Sequence, residues 1–168
     1  DPEPVPEAEL LVLAGDIDAT WNGLARFADW PVPVLFVPGN HEFDGREFTS
    51  VVPELRALCE GAGIQLLYRE SVVLTGADGR RIRFVGTTRW SNFDLFGPER
   101  RERAQRAAGY FLTLMAATWE GLPFDADAVR EQGLACRAWL ERELARPAAG
   151  RWDATVAVTH FAPSLRSA

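Results

Sequence analysis

The stretch "LFVPGNHE", residues 35–42, decides how this chain is read. A run of apolar residues reaches Pro38-Gly39, and three polar residues follow at once. Asn40, His41 and Glu42 have little packing purpose at the end of a buried strand. In open α/β sheets such strand ends are where ligands bind. Two other apolar runs finish in the same way. "LLVLAGD" (10–16) delivers Asp16, and "ATVAVTH" (154–160) delivers His160, the second of the protein's two histidines.

Outward from these strand ends, the elements follow from periodicity. Residues 10–14 are continuously apolar, as in a strand buried on both faces. Residues 20–30 place Trp21, Leu24, Phe27 and Ala28 at helical spacing with Thr20 as N-cap, and 32–37 form the next strand. Together they make a βαβ unit. A helix is expected from about Ser50 to Gly61, then strands over 64–68, 71–76 and 81–88, the last two joined by the turn "ADGR". Further helices are expected over 97–120 and 125–146, then the strand 154–160. Tyr110, Phe111, Leu114, Met115 and Trp119 are assigned to the core, with Val129, Cys136, Trp139, Leu140 and Leu144 on the last helix. The fold class is α/β, in a single domain over residues 1–168.

Composition narrows the function classes. An apolar share of 47% and a charged share of 25% are those of an ordinary globular protein. No apolar stretch approaches the roughly 20 residues of a membrane span. A net charge of -6 argues against non-specific binding to nucleic acid or anionic membrane, but allows a small phosphate ester held through metal ions. All 18 basic residues are arginine, the signature of a GC-rich genome rather than of a function. Cys59 and Cys136 read as buried free thiols. The acidic, Pro-rich N-terminus shows no secretory signal, and a cytoplasmic location is expected.

A carboxylate, an amide oxygen and an imidazole on rigid strand ends form a hard-to-borderline ligand set, suited to Mn²⁺, Fe²⁺ or Zn²⁺. His41 is a candidate proton donor, because imidazole titrates near neutral pH. A lone strand-end histidine is more often a satisfied polar residue than a ligand, so the combination carries the weight. Asp18 reads as a loop or helix-entry residue. Arg46, Arg89 and Asp94 are open between substrate contacts and solvated loop residues.

"LAGD", "VPGNHE" and "VTHFAP" resemble the second, third and fourth motifs of the calcineurin-like metallophosphoesterases, in order and spacing. "RFVGTTRWSNFDLFG" (83–97) resembles a bacterial branch of that family. The resemblance runs from about Leu10 to Ala168. It implies a sandwich of mixed β-sheets flanked by helices, and hydrolysis of phosphate mono- or diesters. It implies two divalent ions in the complete enzyme. Asp16 matches the carboxylate bridging them, Asn40 and His160 match ligands of the second ion, and His41 matches the proton donor. A hydroxide held between the ions would attack phosphorus in line. The family's first motif, D-x-H, and its last, G-H-x-H, are absent, and Phe161 stands where the branch has a second histidine. These residues alone would therefore hold one ion. An incomplete stretch of an enzyme is the expected explanation. The alternative is a catalytically inactive member serving as a protein-interaction module.

Overall fold

Strand β2 (Val34–Phe36) sets the layers, because successive side chains of a strand point to opposite faces. In the computed structural model, which describes residues 2–164 and 166, Val34 and Phe36 join one apolar cluster and Leu35 and Val37 another. β2 is the centre of a three-stranded parallel sheet, between β1 (Leu11–Leu13) and β3 (Ile64–Leu66). Helix α1 (Phe48–Gly61) covers one face of it with Val51, Leu55 and Cys59, all fully buried. Burying one such aliphatic side chain contributes about 1.5–3 kcal/mol, so this face holds the helix on the sheet.

The other face meets a second sheet. It consists of β4 (Glu70–Thr75), antiparallel to β5 (Arg81–Thr87), and β8 (Ala154–Thr159), parallel to β5. Val72, Leu74, Phe84 and Val158 pack with Leu35, Val37 and Leu67 between the sheets. A Cβ at Gly86 would lie 2.5 Å from Leu67 Cβ and 2.8 Å from Val37 Cγ2, so the close approach of the sheets requires glycine there. The alternate residues of β5 face helix α3 (Ala126–Ala145), where the Arg83 guanidinium donates to the Glu143 carbonyl and Thr87 donates to Cys136 Sγ.

The class is mixed α/β, as expected, built from small sheets and helices. Both cysteines are free and buried, also as expected. Residues 165, 167 and 168 of the expected domain, with Asp1, lie outside the described residues. Among the described residues no helix is long and apolar enough to cross a membrane.

Three expectations are corrected. The helix expected over 20–30 is only a 3₁₀ turn, Asn22–Phe27. Trp21 enters it with a left-handed φ of 69°, and Asp18 takes the N–H of Gly23 that a longer helix would use. The helix expected over 97–120 is α2, Arg101–Met115, ended by the left-handed Ala116. After it comes a hairpin of β6 (Thr118–Trp119) and β7 (Leu122–Pro123) around Gly121. Tyr110, Phe111 and Leu114, expected in the core, are 67%, 67% and 65% exposed, and Leu144 is 48% exposed. Periodicity marks an apolar face but not whether a neighbour covers it, and α2 buries Met115 instead.

Glu47 clips the hairpin after α2 to the start of α1. Its carboxylate accepts from Thr118 Oγ1 at 2.8 Å, from the Glu120 N–H at 2.8 Å and from the Gly121 N–H at 3.3 Å. The Gly45 N–H donates to the Met115 carbonyl alongside. The Thr118 hydroxyl leads these donors in holding the Glu47 carboxyl down from 4.5 to about 2. A carboxyl depressed in the folded state adds stability above its unfolded value and loses it as pH falls through the folded one. Urea midpoints should therefore fall more steeply for the wild type than for Glu47→Gln between pH 4.5 and 2. Parallel profiles would show that this clip does not bear on folding.

Candidate active site

Glu42 organises the site, though it is not one of the groups expected to react. It is fully buried. Its Oε1 accepts from the N–H of Ile17 at 2.7 Å and of Asp18 at 3.4 Å. Its Oε2 accepts from Gly39 at 2.6 Å and Asp16 at 3.0 Å. One carboxylate thus gathers backbone donors from the ends of both β1 and β2. Such bonds are what make a buried carboxylate tolerable. The Trp21 indole N–H donates to the Glu42 carbonyl at 2.9 Å, and the Arg46 guanidinium lies 3.9 Å over the Trp21 ring. Arg46 is therefore a strut of this loop, with a further bond to the Ala19 carbonyl at 3.0 Å.

The pinned loops touch. Asp16 has a left-handed φ of 54°, and its Oδ1 accepts the His41 N–H at 3.0 Å. A Cβ on Gly39 would collide with that same Oδ1, and one on Gly15, at φ 96°, would collide with His160 Nδ1. These two glycines are the condition for three strand ends to meet. Asp18 is the loop residue expected, accepting from the N–H and hydroxyl of Thr20. Asp94 accepts from Arg101 at 2.6 Å and Arg130 at 2.9 Å, which tie its loop to α2 and α3.

Asp16, Asn40 and His160 come together from β1, β2 and β8. His160 Nδ1–H donates to the Ala14 carbonyl at 2.9 Å, which leaves Nε2 facing the site. Asp16 Oδ2 and Asn40 Oδ1 each stand 3.3 Å from that Nε2. Two donors about 2.1 Å from a shared ion stand roughly 3.0–3.4 Å apart, so these spacings fit one divalent cation. With the proton on Nδ1, the three atoms all present lone pairs toward one point. The set is thin: among the described residues no three His, Cys, Asp or Glu side chains could hold a metal, and the third donor here is an amide.

His41 lies in a 3₁₀ turn, His41–Phe43, beside this set. Its Nδ1–H donates to Asp44 Oδ2 at 2.7 Å. That bond, ahead of the opposing effect of burial, raises the imidazole above its ordinary value. Sequence reasoning missed Glu42 and Asp44. Asp44 was readable as the third residue after His41, a spacing that a tight turn brings together. Glu42 was not, because its partners lie up to 26 residues away.

If Glu42 holds the strand ends together, Glu42→Gln should lose ~3 kcal/mol of stability, since its amide NH₂ would face backbone N–H groups. Urea denaturation measures this, and a loss under ~1 kcal/mol would remove Glu42 from that role.

No family model matches the chain, and no curated protein matches it. Among solved structures it is similar to the crystal structure of phosphopantetheinyl hydrolase (PptH) from Mycobacterium tuberculosis, at 20% identity and a TM-score of 0.60. The match covers 91% of this chain and 58% of that one, so this chain spans little more than half the neighbour's length. The assignment to the calcineurin-like metallophosphoesterases is therefore corrected. No model of that family matches, and the structure that does match is a phosphopantetheinyl hydrolase. Three short motifs fix how strand ends meet locally, and that is too little sequence to fix a family.

Proposed function

We propose that this protein hydrolyses phosphate esters at the site formed by Asp16, Asn40, His160 and the His41–Asp44 pair. The observation that carries the reading is the convergence of Asp16 Oδ2 and Asn40 Oδ1 at 3.3 Å from His160 Nε2, beside a histidine oriented by a carboxylate. The fold likeness to a phosphopantetheinyl hydrolase supports hydrolysis as the reaction and a phosphate ester as the bond. Asp16, Asn40 and His160 would hold one divalent cation, Mn²⁺, Fe²⁺ or Zn²⁺ by their donor chemistry. Such an ion supplies Lewis acidity toward phosphoryl oxygens and lowers the pKa of water.

The chain's own residues do the rest. Asp44 fixes the His41 ring and its tautomer, so Nε2 is the nitrogen left to carry a proton to the leaving oxygen. Glu42 holds Asp16 and Asn40 in register from behind, without touching substrate. A silent interaction module would have no use for the His41–Asp44 pair, so the enzymatic reading is preferred. A cytoplasmic setting and a small-molecule partner go with this proposal.

The assay is hydrolysis of bis(p-nitrophenyl) phosphate with Mn²⁺, beside Mn²⁺ titrations of each variant. His41→Ala should lower kcat by about 10²–10⁴ and leave Mn²⁺ affinity unchanged. Asn40→Ala should weaken Mn²⁺ by about tenfold or more. Equal Mn²⁺ affinity in wild type and Asn40→Ala would sink the ligand assignment, and equal turnover in His41→Ala would sink the proton donor.

A further inference from the structure

A cavity of about 490 Å³ opens beside His41. Asn40, His41 and Asp44 form its polar end, whereas Asp16 and His160 do not line it. Trp90, Phe93, Met115 and Phe161 form its walls, and the exposed Phe111 and Leu114 of α2 form its lip. Among the described residues its lining includes no arginine and one carboxylate, that of Asp44, which is engaged with His41. A second phosphate or a carboxylate would find no cation there. Away from that polar end, a sugar would meet mainly the Ser91 hydroxyl, which already accepts the Phe93 N–H at 3.1 Å.

We propose that this cavity holds the alcohol portion of the ester, and that the alcohol is apolar, alkyl or aryl. The inference rests on the hydrolytic reading above. In that reaction water oxygen bonds to phosphorus, and the ester P–O bond breaks. The leaving oxygen takes its proton from His41, and the surplus proton of the water passes to solvent. The alcohol therefore departs on the His41 side, and that is the side on which the apolar cavity lies. The phosphoryl group stays on the side of Asp16 and His160. A cavity of this size is within the range that binds small organic ligands.

The test is a series of methyl, butyl, hexyl and octyl phosphates, whose leaving alcohols have nearly equal acidity. With Mn²⁺ present, kcat/KM should rise about two- to fourfold per methylene. Phe111→Ser and Leu114→Ser alter exposed positions, so they should fold normally. They should flatten the series. Calorimetry with octylphosphonate and methylphosphonate reads the cavity without turnover. If no ester is hydrolysed but octylphosphonate binds more tightly, and the lip variants abolish the difference, the catalytic reading fails and the cavity assignment stands. Equal rates and equal binding along the series would overturn the proposal. So would a flat series together with self-association that the lip variants abolish, because the lip would then be a protein interface.

Discussion

The structure depends on one buried carboxylate. Glu42 takes four backbone N–H donors from two chain segments that no regular hydrogen-bond ladder could satisfy. Without it, the turn after β1 and the turn after β2 would each leave polar groups in the interior. With it, the two turns become one rigid unit, and the side chains of Asp16, Asn40 and His41 inherit their positions. The left-handed Asp16 and the glycines on either side of the contact are tolerable because the contact fixes them. The reactive geometry is in this sense a by-product of satisfying a backbone.

Much of this was legible in the sequence, for a physical reason. A buried strand must be apolar along its length, so the residue at which apolarity stops marks the strand end, and Asp16, Asn40, His41 and His160 were singled out that way. The α/β class and most strand limits follow from the same signal. What was illegible depends on distant partners. The burial of Glu42 is set by donors in another loop, and the exposure of Tyr110, Phe111 and Leu114 by where the rest of the fold leaves α2 uncovered among the described residues. The segment 20–30 reads as a helix by spacing, yet the Asp18 side chain competes for its first N–H groups and a tighter turn results. The family was misread because the motifs describe a local arrangement of strand ends. The chain as a whole matches no family model.

The site divides into a part that is local in sequence and a part that is not. His41 and Asp44 sit on one turn and need no tertiary contact to meet. The proposed donor set draws on three strands, and its third member arrives with β8. The same division separates roles in the proposed reaction, with proton transfer on the local turn and cation binding on the assembled strand ends.

That division orders events in time. His160 bonds to Ala14 across 146 residues and approaches Asn40 across 120. In chain order β8 follows α2 and α3, so its docking beside β5 closes a loop that contains both helices. Contacts of such separation carry a larger loop-closure entropy than local ones. In chain order the first sheet, α1 and the Glu42 clasp all precede His160. The three side chains of the proposed cation site therefore cannot meet until His160 has been made.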